Sequence, residues 1–254
     1  MKLLKAMAIA FSIYSKIPVP QFEWKEEDME YMMCFFPWIG GVIGLFFFGW
    51  AVLYEKFAVG NVCYALIGAA IPLMISGGFH VDGYMDTMDA FHSYQSREKK
   101  LEILKDSHIG AFAAIMLALY YMIDIAAISE IHTQKAVSAL AAVFFLARCF
   151  SGIAVMTLQP AKKEGLLYTF ASSAQKVRVK AALYFQTVLC VVLMLLVSGW
   201  YGAAAIGAAL LSFFYFKKKS YKELGGITGD TAGFFVTVCE AAAAAAVAVA
   251  GYFL

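Results

Sequence analysis

Residues 77–110 read GGFHVDGYMDTMDAFHSYQSREKKLEILKDSHIG. The stretch carries six of the chain's 18 acidic residues and three of its four histidines, and no apolar run in it is long enough to cross a bilayer. Asp82, Asp86 and Asp89 are spaced four and three apart. At about 100° per residue they fall within an arc of about 60° on a helix, so three carboxylates share one face. Like charges that close raise each other's pKa unless a cation sits among them. The ion suited to an all-oxygen set is Mg²⁺ or Mn²⁺, which bridges protein carboxylates to substrate phosphates. Gly77 and Gly78 just before, His80 two residues ahead of Asp82, and Gly83 beside it fit backbone that approaches a ligand closely. A metal or phosphate site is therefore expected here in preference to a solvated acidic turn.

Outside this stretch the chain is greasy. Its 254 residues are 62% hydrophobic and 15% charged, with a mean hydropathy of +0.73, against about 45–50% and about 25% in soluble domains. The expected class is an all-α, polytopic integral membrane bundle. A net charge of +2 gives no reason to expect a nucleic-acid partner. The five cysteines stand singly in apolar segments and form no CxxC pair, so they read as small core residues. No cleavable signal pattern is expected at the start, where Lys5 and Lys16 interrupt a short apolar stretch. Residues 1–16 instead fit a helix lying at the membrane surface, followed by the breaker IPVP and a polar linker.

Seven apolar runs follow, at 31–54, 61–79, 110–128, 136–158, 182–198, 201–216 and 232–254, each near the ~20 residues that cross a bilayer core. With seven spans, seventeen Lys and Arg fall on the N-terminal side of the membrane and only Lys56 and Lys135 on the other. The positive-inside rule then places the N-terminus in the cytoplasm. The expected organisation is one membrane domain, 1–254, with a cytoplasmic or interfacial segment at 1–30. Its cytoplasmic loops are the acidic, metal-binding 77–110, then 159–181 and 217–231.

Two further motifs fall on that face. QPAKKEGL (159–166) supplies Lys162 and Lys163, and LGGITGDTAG (224–233) clusters Gly225, Gly226, Gly229 and Gly233 around Thr228, Asp230 and Thr231. Free N–H groups in such a turn, leading into a helix, make an anion-binding nest. In SREKKLEILKDSH, Ser96 reads as an N-cap, and Glu98, Glu102 and Asp106 form a stripe in which Asp106 stands where the chain re-enters the membrane and can complete the metal site. Ionisable residues inside spans are functional suspects. Arg148 and Glu240 are at similar depth, so Arg148 either pairs with Glu240 or contacts a substrate phosphate. Asp124 is expected at the outer interface. His92 reads equally as a helper of the site or as a surface histidine, and His132 receives no role.

GGFHVDGYMDTMDAF, LKDSHIGAF, AKKEGL and GGITGDTAGF, in that order and with IPVP near the N-terminus, resemble the cobalamin synthase family over nearly the whole chain. Two positions depart from the family pattern: Ala90 follows Asp89 in place of Gly, and His108 stands where Arg is frequent. The resemblance implies an enzyme of the cell membrane, its active site facing the cytoplasm. It would join adenosylcobinamide-GDP to α-ribazole or its 5′-phosphate, release GMP and require Mg²⁺. It implies metal binding by Asp82, Asp86 and Asp89, with Asp82 and Asp86 catalytic and Asp106 a further ligand or the general base. Phosphates would fall to His80, Lys162, Lys163 and the Gly226, Thr228, Gly229, Asp230, Thr231 turn, with Arg148 as an alternative contact. A CDP-alcohol phosphotransferase is the first rival, although Tyr84-Met85-Asp86 stands where that signature places an Ala-Arg pair. A cation-coupled transporter is the second, although no internal repeat is visible. The sequence leaves open whether the chain acts as a homo-oligomer.

Overall fold

The computed structural model describes residues 2–20, 23–162 and 164–253. These fold into α1 (Lys2–Tyr14), α2 (Phe36–Phe57), α3 (Asn61–Ser76), α4 (Phe79–His92), α5 (Arg97–Ile103), α6 (Ala111–Ile128), α7 (Gln134–Thr157), α8 (Leu166–Ser173), α9 (Lys176–Ser198), α10 (Trp200–Leu224) and α11 (Gly229–Gly251). Two 3-10 turns precede α2, and the only strand-like pairing among the described residues is one parallel bridge between Pro160 and Ile227.

Helix α7 is the axis of the bundle, packed by α2, α9, α10 and α11. Together with α11 it is the most enclosed of the apolar helices, whereas α6 and α9 turn much of their surface outward. Outward-facing Phe46, Met122, Leu196 and Phe214 are exposed apolar side chains of the kind a lipid-facing surface carries. Lipid tails are as apolar as leucine, so close van der Waals fit must hold such helices together, and small residues provide it. A β-carbon on Gly40 or Gly44 of α2 would fall 2.0 Å from the Phe144 carbonyl oxygen or 2.2 Å from that of Ala141 on α7. Inside the bundle Arg148 Nη1 donates to Glu240 Oε1 at 2.6 Å and to the Phe144 carbonyl at 2.8 Å, and Arg148 and Glu240 are only 1% and 6% exposed.

All seven apolar runs are found as helices, but not as seven apolar crossings. Among the described residues, helices α2, α6, α7, α9 and α11 are long and apolar enough to cross a membrane, and α3 with α4, bent by 96°, makes a sixth if the pair counts as one span. The 61–79 run stops at Ser76, because Gly77 and Gly78 adopt φ of +65° and +85° and turn the chain. The 14-residue α4 carries Asp82, Asp86 and Asp89 and does not cross by itself. The runs at 182–198 and 201–216 extend through their basic flanks into helices of 23 and 25 residues. Asp124 is buried, at 5% exposed, and close enough to Glu240 for their charges to interact. The reason is that α11 starts at Gly229, three residues before the apolar run, which places Glu240 about 16 Å along its helix and nearer Asp124 in depth. Helix α1 lies against the 3-10 turns and α2, with Ala6, Ile9, Ala10 and Tyr14 buried and Leu3 and Leu4 exposed.

If α2 and α7 are held by backbone-to-backbone approach, Gly40→Ala lowers the thermal stability of the detergent-purified protein by about 1–3 kcal/mol. Gly49→Ala, whose added methyl meets nothing within 4 Å, leaves stability unchanged or raises it by up to about 1 kcal/mol. Equal melting curves for the two variants contradict this packing.

Candidate active site

Gly77 caps α3 and Gly78 precedes α4, both in the left-handed region that an L side chain resists. The turn lays α4 across the start of α11. A β-carbon on Gly83 would fall 2.8 Å from the carbonyl oxygen and 2.9 Å from the Cα of Asp230, and one on Gly233 would lie 3.1 Å from the His80 carbonyl oxygen. Two helices thus touch backbone to backbone, and the contact brings Asp82 and Asp86 beside Asp230. The Asp86 carboxyl is pushed up to about 7, first by burial and then by the negative charges of Asp82, Asp230 and Asp89. Burial and like charges together disfavour its ionised form.

The start of α11 is built by a capping box. Thr231 N–H donates to Thr228 Oγ1 at 3.1 Å, and Thr228 N–H donates to Thr231 Oγ1 at 2.8 Å. The preceding residues clip Gln159 and Ala161 in place: Ala161 N–H donates to the Ile227 carbonyl at 2.8 Å and Ile227 N–H to the Gln159 carbonyl at 3.0 Å. Only glycine fits at 226, where a β-carbon would fall 2.6 Å from the Gln159 oxygen. The Arg97 guanidinium from α5 lies against Gly225, and Lys100 of α5 pairs with Glu223. Lys162 is thereby carried to the helix start, near enough for its charge to act on Asp230.

Between these elements lies a cavity of about 350 Å³. Tyr14, Phe36, Phe79 and Phe170 form an aromatic wall, Ser151 and Val155 of α7 contribute from the bundle, and His80, Asp82, Lys162, Thr228, Gly229 and Asp230 supply the polar groups. His80 is 5% exposed, its ring stacked beside Tyr14, and among the described residues neither ring nitrogen has a hydrogen-bond partner. A buried imidazole with two unmet nitrogens at a cavity wall is poised for a polar ligand. A helix N-terminus and a lysine opposite two carboxylates can hold a phosphate and the cation that accompanies it.

Residues 6–248 match the family described as cobalamin-5-phosphate synthase. The chain belongs to that family. A protein of Lachnoclostridium phytofermentans named adenosylcobinamide-GDP ribazoletransferase is 44% identical over 250 residues, covering 98% of this chain and 95% of the relative. Proteins of the same name from Clostridium botulinum and Treponema denticola are 31% and 30% identical, covering 94% of this chain and 94% and 95% of their own length. No solved structure matches the chain.

Within this member of the family, the structure gathers part of the expected residue set and disperses the rest. His80, Asp82, Lys162, Thr228, Gly229 and Asp230 line one cavity, with Asp86 beside them. Thr231 and Gly226 shape the turn rather than face the cavity. Asp89 accepts from the N–H groups of Gly110 at 2.6 Å and Ala113 at 2.8 Å, and so caps α6. Asp106 is exposed and pairs with His108 Nδ1 at 2.6 Å. Arg148 is committed to Glu240, and Lys163 lies outside the described residues. His92 bonds the Met88 carbonyl at 2.8 Å and stacks on Phe112, while His132 stacks on Tyr54 at a distance from the cavity. Among the described residues no three His, Cys, Asp or Glu side chains form a ready-made metal group. Sequence reasoning placed Asp230 with the phosphates and missed it as the carboxylate facing Asp82, a contact between distant segments that leaves no local signal. The Thr228-x-x-Thr231 spacing before an apolar run does signal the cap.

As a cap, Asp89 is replaceable by another acceptor. Asp89→Ala is expected to cost about 1–2 kcal/mol of thermal stability, and Asp89→Asn to recover most of it. Equal losses in the two variants would show that the charge, not the cap, matters.

Proposed function

We propose that this chain transfers the adenosylcobinamide phosphoryl group from adenosylcobinamide-GDP to α-ribazole or α-ribazole 5′-phosphate, releasing GMP, at the cytoplasmic face of the cell membrane. One observation carries the reading: the backbone contact of α4 with α11 joins two carboxylates, a lysine, a helix N-terminus and an unpartnered histidine at one cavity. That inventory suits a diphosphate and its counter-ion, and the names of the relatives supply the substrate.

In the transfer, a ribose hydroxyl oxygen of the acceptor bonds to the cobinamide-bearing phosphorus. The bond from that phosphorus to the bridging oxygen breaks, GMP leaves with the oxygen and the bonding pair, and the hydroxyl proton passes to water. Lys162 and the first-turn N–H groups of α11 hold the diphosphate. His80 offers ring nitrogens to it or to the neighbouring ribose from a dry wall. Asp82 and Asp86, with Asp230 opposite, would hold Mg²⁺; one or two carboxylates suffice where substrate phosphates and water supply the remaining ligands. When bound, the ion neutralises charge on the transferring phosphoryl group and on leaving GMP. Asp106, exposed and paired with His108, takes no step in this reading.

The test is GMP release by detergent-purified protein given adenosylcobinamide-GDP and α-ribazole 5′-phosphate. Release is expected only with Mg²⁺, and kcat is expected to fall by about 100-fold or more in Asp82→Asn and Asp230→Asn, with Asp106→Asn within a few-fold of wild type. Metal-independent release, or near-normal turnover in Asp82→Asn, contradicts the assignment. A pH dependence follows from Asp86, whose carboxyl is pushed up to about 7. Below that pH it is protonated and cannot hold a cation, so activity at limiting Mg²⁺ falls as pH drops through neutrality. Added Mg²⁺ favours the ionised form and moves the midpoint to lower pH. A midpoint indifferent to Mg²⁺ would remove Asp86 from the cation site.

A further inference from the structure

A second cavity, of about 510 Å³, lies across the first turn of α4 from the first, between the end of α1, the α3–α4 turn and α6. Phe79 and Asp82 line both cavities, so groups bound on either side meet the same carboxylate. The two sides differ in chemistry. The first holds Lys162 and the start of α11, which suits a doubly charged diphosphate. The second has one cation, Lys16, along with the hydroxyls of Ser12 and Ser76 and apolar side chains that include Phe79 and Leu117. Lys16 is held at this rim by glycine: a β-carbon on Gly77 would fall 2.3 Å from Lys16 Cε. The first side, with a lysine and a helix start, is the better match for the diphosphate, whereas an apolar wall with an aromatic ring, scattered hydroxyls and one cation at the rim suits a flat nucleoside, with or without a terminal phosphate.

Phosphoryl transfer needs the incoming and leaving oxygens on opposite sides of phosphorus, roughly in line, and both reactants held at once. Two cavities that share Phe79 and Asp82 have room to hold both reactants at once. Resting on the transfer reaction proposed above, we propose that the second cavity is the acceptor subsite. It takes an aromatic nucleoside with its base against Phe79 and Leu117 and its ribose toward Asp82, and Lys16 receives the 5′-phosphate when one is present.

The experiment measures KM for donor and acceptor separately by GMP release. Leu117→Trp, which fills the second cavity, is expected to raise the acceptor KM by about tenfold or more and to leave the donor KM within about twofold. Ser12→Trp repeats the measurement from the α1 side should Leu117→Trp fail to fold. Lys16→Ala is expected to raise KM for α-ribazole 5′-phosphate by about tenfold while leaving that for unphosphorylated α-ribazole within about twofold, a split that general loss of structure does not produce. An unchanged acceptor KM in folded Trp variants, or a donor KM that rises equally, overturns the subsite. Direct titration of α-ribazole fluorescence separates this inference from the reaction. Saturable binding by wild type that Leu117→Trp abolishes supports the subsite even where no GMP is released, a result that would sink the reaction alone. Folded wild type that binds no α-ribazole overturns the subsite.

Discussion

Everything at the site depends on α4 pressing its backbone onto the first turn of α11. Gly83 permits the approach, because any side chain there would occupy the space of the Asp230 carbonyl and Cα. Gly233 does the same from the other helix against His80. Without that contact the aspartates of α4 would be a solvated stripe and the start of α11 an ordinary capped helix. With it, Asp82 and Asp230 face one cavity.

The constraint reaches backward and forward along the chain. Backward, α4 takes this direction only because Gly77 and Gly78 turn the chain through left-handed conformations at the end of α3. Forward, Asp89 ties the same helix to α6 through two backbone donors. The loop bearing Lys162 is clipped to Ile227 by a two-bond bridge, and α5 braces the clip through Arg97 and Lys100. Deeper in the bundle the Arg148–Glu240 pair links α7 to α11. Breaking such a buried pair leaves an unpartnered charge in an apolar interior, a cost far above that of a surface pair.

Much of this was legible in the sequence, and the rest was hidden for physical reasons. Apolar run lengths located α6 and α7 to within two residues, α11 to within three and α2 to within five, because a span must bury its backbone in hydrocarbon and little else satisfies that. They misplaced the end of α3, where a glycine pair outweighs hydropathy, and shortened α9 and α10, whose basic ends continue the helix beyond the apolar part. Similar depth offered the Arg148–Glu240 pair as one of two alternatives, the other being a phosphate contact, and the structure shows the pair. The carboxylate cluster was half legible: the Asp82–Asp86 spacing fixes a shared face, but Asp89 turns to a helix start and Asp230 arrives from the far end of the chain. Short-range spacing cannot report either fact. The second cavity was invisible, because three separate elements meet to form it.

The central claim is that Asp82, Asp86 and Asp230, rather than the acidic residues farther along the 77–110 stretch, carry the cation. Equilibrium Mn²⁺ binding to purified protein, followed by paramagnetic resonance in the presence of GDP, tests it without reference to turnover. Binding is expected in wild type and in Asp106→Asn, and is expected to be lost in Asp82→Asn and in Asp230→Asn with their folds intact. Binding that survives both of those substitutions and disappears in Asp106→Asn would contradict the account.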